Sequence, residues 1–209
     1  NAGFSIVKYT GNGGSSQSVG TGLNNATELV IFKRYDSIVN WFVFAKIGSV
    51  YKRFEGLNTD FAAGSVSSFD ATSTTVTWSG TTSDFNGNGN LYIMYCFHSV
   101  PGYSKIGTYI GNNTTSRTVY TTDDGTSGGA NGFEPGWLLI KRVDDPANWR
   151  ILDNTRSTSN PRDKELYPNL QNIEGTFSAV NFNSNSFEII TTDPSYNALN
   201  GEYLYLVIK

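Results

Sequence analysis

The residues that could do chemistry are few and scattered along the chain. The chain has one histidine, His98, and one cysteine, Cys96, and neither belongs to a recognisable nucleophile motif. A zinc site needs three or four His, Cys or carboxylate ligands, and one residue of each kind does not supply the usual set. We therefore predict no metal, no cofactor and no catalytic residue. We expect Cys96 to be a buried, inert thiol and His98 to be exposed at a strand end.

The acidic residues leave two alternatives to weigh. The segment from Asp84 to Asn90 starts like a calcium-binding loop, but the position that needs a bidentate carboxylate is Tyr95. A turn in which Asn and Gly supply positive φ angles explains this segment better. Two carboxylates could still meet across the fold for glycoside hydrolysis, at a separation of roughly 5–10 Å. The pairs Asp123-Asp124 and Asp144-Asp145 lie in predicted turns, and we predict that the chain is not an enzyme.

Composition limits the classes of partner. Charged residues make up 16% of the 209-residue chain and the net charge is −3, so nothing is built to neutralise phosphates. The polar content comes from Asn, Ser, Thr and Gly, alongside 12 Tyr, 13 Phe and 4 Trp, which is typical of short strands joined by turns. No apolar stretch approaches the roughly 20 residues that span a bilayer. We expect no nucleic-acid partner and no membrane insertion.

The elements that must position these residues occur twice. The run Ile31 to Arg34, followed by Asn40-Trp41, returns 108 residues later as Leu139 to Arg142, followed by Asn148-Trp149. The opening Gly3-Phe4-Ser5 returns as Gly102-Tyr103-Ser104, and the ending Tyr92 to Phe97 returns as Tyr203 to Ile208. An internal repeat of this length predicts two copies of one module. We place the modules at residues 1–100 and 101–209.

Hydrophobic residues alternate with period two, which predicts strands. Both faces are apolar in Leu91 to Phe97 and in Glu202 to Ile208, so these strands should be central. The predicted fold is all-β: two tandem antiparallel β-sandwich modules, jelly-roll or lectin-like, with six to eight strands each. Further predicted strands are Leu29–Arg34, Trp41–Ala45, Val76–Trp78, Trp137–Arg142, Trp149–Leu152 and Phe187–Ile190, and predicted loops are Gly11–Gly22, Gly80–Asn90, Gly111–Thr115 and Thr121–Gly132.

The repeated Asn-Trp pairs allow two interpretations. An aromatic ring beside an amide suits a sugar ring and its hydroxyls. Features kept in both copies are nevertheless explained more simply by folding, which both copies must do. We therefore expect Trp41 and Trp149 to pack in the two cores, with Asn40 and Asn148 bonding backbone groups at the hairpins.

The ordered series Gly3-Phe4-Ser5, Tyr9 to Gly13, Ile31 to Arg34, Asn40-Trp41 and Tyr92 to Phe97 resembles a known family. This is an uncharacterised duplicated β-module of marine tailed-phage virion proteins, often found behind a concanavalin-like or laminin-G-like domain. The second copy matches in Gly102 to Ser104, Leu139 to Arg142 and Asn148-Trp149. The resemblance implies a location in the virus particle and no particular reaction.

We therefore expect a non-enzymatic virion structural protein, an appendage, fibre or capsid-surface module that attaches to host-surface glycans. Its expected partners are other virion proteins, further copies of itself such as a trimer, and a host glycan. Two alternatives remain: a purely architectural decoration or joining module, and a carbohydrate-binding module outside any virus. A specialised surface should lie in the longer second-copy segments Thr121–Gly132 and Asn154–Tyr167. Ligand contacts are expected from exposed loops, at Asp84, Asn86, Asn88, Asp193, Tyr196 and Asn197.

Overall fold

A computed structural model describes residues 3–55, 63–65, 69–80 and 83–209. Strands dominate these ranges, and every strand pairing is antiparallel. The described residues divide into two compact units, one ending at His98 and one starting at Ser99. The all-β prediction is therefore confirmed.

The first unit has two sheets. One follows the order β1-β9-β3-β4-β5-β6 and the other the order β2-β8-β7. The strands are β1 Phe4–Thr10, β2 Ser16–Gly20, β3 Leu29–Arg34, β4 Phe42–Ile47, β5 Val50–Glu55, β6 Ala63–Ser65, β7 Phe69–Ala71, β8 Thr75–Ser79 and β9 Leu91–Phe97.

The second unit also has two sheets, with the orders β10-β17-β12-β13 and β11-β16-β15-β14. One short helix, α1 Pro194–Asn197, precedes its last strand. The strands are β10 Ser104–Ile110, β11 Arg117–Tyr120, β12 Trp137–Arg142, β13 Arg150–Asp153, β14 Arg162–Glu165, β15 Gly175–Asn183, β16 Ser186–Ile189 and β17 Glu202–Ile208.

The two units repeat one topology. The order β1-β9-β3-β4 of the first corresponds to β10-β17-β12-β13 of the second. In both, a tyrosine of the first strand lies opposite a tyrosine of the last: Tyr9 pairs with Tyr92, and Tyr109 with Tyr203. The rings of each pair stack, with centroids 5.0 and 4.8 Å apart. Both predicted central strands have a neighbour on each side: β9 lies between β1 and β3 in the first unit, and β17 lies between β10 and β12 in the second.

Pairing corrects one detail of the sequence alignment. Phe4 lies opposite Phe97, whereas Ser104 lies opposite Ile208, which is the equivalent of Phe97. The structural counterpart of Phe4 is therefore Ser104 and not Tyr103. The second copy has one more residue between its opening glycine and its stacked tyrosine, and the tyrosine pair sets the register.

Each unit encloses its own core. The inner faces of its two sheets meet in one buried cluster, which in the first unit is rich in aromatic rings. Its largest fully buried members are Trp78, Tyr92, Phe32, Phe44 and Met94. The cluster of the second unit includes Phe187, Tyr196, Tyr203, Leu138 and Val180.

The predicted loop Gly11–Gly22 was wrong, because it contains β2. Gln17 and Val19 alternate with exposed residues and pair with Trp78 and Val76 of β8. The Ser- and Gly-rich composition conceals this strand. Within the described ranges the first unit has nine strands, one more than predicted, and the second has eight.

Of two single residues near the end of the first unit, one differs from expectation and one agrees with it. His98 is buried, with 4% of its surface exposed, and its backbone N–H donates to the Gly3 carbonyl at 2.8 Å, which extends the pairing of β1 and β9. Cys96 is fully buried as expected, and burial raises the pKa of its thiol to about 12.

The two tryptophans have different environments. Trp149 is buried as predicted, with 1% exposed, but Trp41 is 37% exposed. Trp41 precedes Phe42, which points into the core, so strand alternation directs Trp41 to the outer face. Trp149 precedes Arg150, whose guanidinium lies against the core residue Tyr196, so alternation alone does not distinguish the two tryptophans.

At the second hairpin, the side chain that hydrogen-bonds to a backbone group is that of Asn169 and not that of Asn148. The Asn169 side chain accepts from the Trp149 N–H at 2.9 Å and donates to the Asn148 side chain at 2.8 Å.

Candidate functional site

Asn86 is a structural residue and not an exposed ligand contact. Its side chain is fully buried, so the expected exposure was wrong. The amide donates to the carbonyls of Gly14 and Gly80 at 3.1 and 3.0 Å and accepts from the Asn12 N–H at 3.1 Å. It thereby joins three loop segments. Its predicted companions differ, since Asn88 is exposed and Asp84 is half-buried.

Asn197 does the same in the second unit. It is fully buried, accepts from the Asn112 N–H at 2.8 Å, and donates to the Thr114 carbonyl at 2.6 Å. Tyr196 is fully buried as well, so neither residue has the exposure expected of it. Asp193 is half-buried and caps the short helix by accepting from the Ser195 N–H at 2.8 Å.

A sequence signal for this shared role existed. Phe85-Asn86 and Tyr196-Asn197 are displaced by 111 residues, as are the strands that follow them. Equivalent bonds occur throughout the two units and hold equivalent loops. They include Tyr9 to the Phe85 carbonyl and Tyr109 to the Tyr196 carbonyl, both 2.8 Å; Lys33 to the Val39 carbonyl and Lys141 to the Ala147 carbonyl; and Arg34 with Asp36 and Arg142 with Asp144.

The units differ at one buried position. Phe42 and Phe85 pack edge to face in the first unit, with ring centroids 6.2 Å apart. Their equivalents are Arg150 and Tyr196, and the Arg150 guanidinium lies 4.9 Å from the centre of the Tyr196 ring. An apolar contact in one copy is thus a cation–aromatic contact in the other.

Glu165 completes this buried cluster. Arg150 Nη1 lies 2.7 Å from Glu165 Oε2, and the same oxygen accepts from the Tyr167 hydroxyl at 2.6 Å. The Tyr196 hydroxyl donates to Oε1. Burial and the Glu165 charge raise the pKa of Tyr196 well above its usual value. Burial opposes the charge on Arg150, but Tyr196 and Glu165 raise the Arg150 pKa overall. Both carboxylate oxygens are therefore occupied by protein donors.

An exposed aromatic surface lies on the first unit and was missed by sequence reasoning. We define it as Phe4, Trp41, Tyr95 and Phe97, on the outer face of the sheet. The Phe4 ring lies 4.8 Å from Phe97 and 6.5 Å from Tyr95, and Trp41 lies 6.2 Å from Tyr95, measured between centroids. Phe4 is 42% exposed, and the neighbouring Ile6 is 55% exposed.

The alternation in β9 was recognised, but its second apolar face was assumed to be buried. The equivalent positions of the second unit carry no such surface. Ser104, Leu206 and Ile208 replace the three strand aromatics, and Trp149 is buried. The aromatic surface is therefore particular to the first unit.

The described residues bring together no group of three or more His, Cys, Asp or Glu side chains suited to a metal ion. Nor does any described helix have the length and hydropathy needed to cross a membrane.

Comparison with known proteins assigns the family. A model of a domain of unknown function, DUF7483, matches residues 1–209. The chain belongs to this family. One similar solved structure is the crystal structure of the STIV MCP, with 10% identity, coverage of 98% of this chain and 95% of that one, and a TM-score of 0.23. That score is too low to support an argument from fold. No match was found among the curated proteins.

Proposed function

We propose that this member of the DUF7483 family is a non-enzymatic structural protein of a phage virion that attaches to glycans on the host surface. The observation that carries the attachment role is the exposed aromatic surface of the first unit. The resemblance of the duplicated motifs to phage virion modules supports the location.

The aromatic surface has the properties of a sugar-stacking platform. Large exposed apolar patches on soluble proteins mark interaction sites, and flat rings offer wide contact area with little loss of side-chain entropy. Phe4 and Phe97 lie opposite each other on paired strands, and Tyr95 lies on the same face. The sheet therefore holds the rings in place before any ligand arrives, which lowers the entropic cost of binding.

The environments of the reactive residues support a role without catalysis. The carboxylate of Glu165 is occupied by Arg150, Tyr167 and Tyr196. Burial keeps the Cys96 thiol protonated, since it raises the pKa to about 12. A nucleophile must be ionised and accessible, and this thiol is neither.

Multiple copies would strengthen weak contacts. In the proposed role the chain assembles with other virion proteins and with copies of itself, such as a trimer. Several platforms on one particle then engage one host surface, and the combined affinity exceeds that of a single site by orders of magnitude.

Glycan-array binding tests the attachment role. The chain is displayed in multivalent form, and Trp41→Ala and Tyr95→Ala are compared with the unaltered protein. Tyr103→Ala is the matched control, because Tyr103 is 44% exposed on the second unit. We expect binding to a subset of bacterial surface polysaccharides that both platform variants lose and the control keeps. Binding that survives both platform substitutions, or no binding by any form, would reject this role.

One observation favours the architectural alternative as a second candidate. Phe4 and Ile6 project from the edge strand β1, where a neighbouring virion protein could cover them. Electron microscopy of the intact particle separates the candidates. The attachment role requires the platform to face solvent, whereas the joining role requires it to be buried against another protein. Absence of the chain from the particle would reject both.

A further inference from the structure

The second unit contains a cavity of about 200 Å³ between β10 and β11. These two strands are edge strands of the two sheets of this unit. The loop Thr121–Gly132 contributes Gly125 to the cavity lining. The volume is below the roughly 300–1,000 Å³ of a drug-sized pocket, so an occupant must be small. The lining residues are Thr108, Tyr109, Arg117, Thr118, Val119, Tyr120, Gly125 and Tyr205.

A difference between the copies sits beside this cavity. Gly107 lies opposite Tyr205 in β17, whereas the equivalent pair of the first unit is Val7 and Met94. The Tyr205 ring occupies the space over Gly107, because a Cβ on that glycine would lie 2.6 Å from the Tyr205 hydroxyl oxygen. The Tyr205 side chain can therefore take this position only because residue 107 is a glycine.

The cavity carries a fixed positive charge. Arg117 donates from Nε to the Ile110 carbonyl at 2.9 Å and from Nη1 to the Thr118 carbonyl at 3.2 Å. These two bonds orient the guanidinium, and within the described residues Nη2 has no acceptor. Lys105 adds a second cation at the rim, since its Nζ lies 3.6 Å from the position of a Cβ on Gly125.

Two other residues that line the cavity carry neutral hydroxyls. Thr108 and Tyr120 make no side-chain hydrogen bond to any described residue, so both can donate to and accept from a ligand. None of the eight lining residues is acidic. The adjacent Asp124 accepts from the N–H and the hydroxyl of Thr126, both at 2.9 Å, within its own loop.

We propose that this cavity binds a single carboxylate-bearing sugar residue, such as a uronic acid. Arg117 would pair with the carboxylate, a contact for which the planar guanidinium is well suited. Polar groups of Thr108 and Tyr120, which also line the cavity, would bond the ring hydroxyls, and the Tyr205 ring would form an apolar wall. The saccharide nature of the ligand rests on the proposed glycan-binding function, but the site is independent of the aromatic surface.

Titration of the full chain with D-glucuronate, D-glucose and acetate tests this site, followed by amide chemical shifts and calorimetry. Glucuronate is expected to shift the amides of Thr108, Thr118 and Tyr120, and both glucose and acetate to bind at least tenfold more weakly. Arg117→Gln should weaken glucuronate binding by about tenfold or more, since hydrogen bonds to charged groups are strong.

The second variant is Gly107→Val with Tyr205→Met, which reproduces the Val7–Met94 pair of the first unit. It should remove the glucuronate shifts while keeping the fold. Trp41→Ala should leave them unchanged, which separates this site from the aromatic surface. Absence of shifts with glucuronate, equal binding of glucose or acetate, or retained affinity in both site variants would overturn the proposal.

Discussion

The two units share a set of equivalent buried hydrogen bonds but differ in the residues around them. Asn86 and Asn197 each join loops through a buried amide, and Tyr9 and Tyr109 each bond the carbonyl of an equivalent residue. Yet the first unit has Phe42 where the second has Arg150. The comparison indicates that the fold is specified by the shared amide and tyrosine bonds, while neighbouring positions are free to change character.

The divergence extends to the surface. The first unit presents an aromatic surface on the outer face of its sheet, and the second has a polar cavity between two sheet edges. Neither feature belongs to the shared set of bonds. Function in this chain is therefore expected where the copies differ, and stability where they agree.

The largest expected effect comes from the two equivalent tryptophans. Trp149→Ala should lower the free energy of unfolding by about 3–5 kcal/mol, because it leaves a cavity in a buried site. Trp41→Ala should cost less than about 1 kcal/mol, since an exposed side chain loses little packing. Urea denaturation measures both. Equal losses at the two positions would contradict the difference in burial.

The buried ion pair should give the next largest effect. Glu165→Gln leaves the Arg150 charge without its partner, and breaking such a pair costs about 3 kcal/mol or more. The double variant Arg150→Phe with Glu165→Gln restores the residue found at Phe42 in the first unit and should regain part of the lost stability. If the double variant is less stable than the single one, the second unit does not tolerate the first unit's solution.

The shared asparagines should behave alike. Asn86→Ala and Asn197→Ala each leave buried backbone groups without a partner, at a cost of about 1–3 kcal/mol each. The control is Asn88→Ala, which removes an exposed side chain and should change little. A large loss of unfolding free energy for one asparagine variant and none for the other would show that the two side chains do not stabilise their units in the same way.

The smallest effect concerns pH. The Arg34 hydrogen bond lowers the pKa of Asp36. Burial opposes ionisation of Asp144, but the hydrogen bond and charge of Arg142 lower its pKa overall. A lowered folded-state pKa contributes stability above the unfolded value of about 3.9, and this contribution is lost as the pH falls through the folded pKa. Asp36→Asn and Asp144→Asn should each flatten the decline in unfolding free energy between pH 5 and pH 2, to a similar and small extent.

Much of the architecture could be predicted from the sequence, because alternation and repetition report on strands directly. The strands Leu29–Arg34, Trp137–Arg142, Leu91–Phe97 and Glu202–Ile208 were predicted with the bounds they have. β2 was missed, since its Ser and Gly content resembles a loop. The site was harder to predict because exposure depends on what covers a face. Asn86 lies in a turn-rich segment next to Gly87, and Tyr196 and Asn197 lie in a short helix that starts at Pro194, yet all three are buried. Trp41 is exposed although its repeat partner is not.

Amide hydrogen exchange on the intact chain tests most directly whether each copy closes its own core. Central strands, which are hydrogen-bonded to a neighbour on each side, exchange slowest. We predict two separate groups of slowly exchanging amides, one centred on β9 and one on β17. Slow exchange confined to one of these strands, with the other exchanging freely, would contradict a duplicated module with two closed cores.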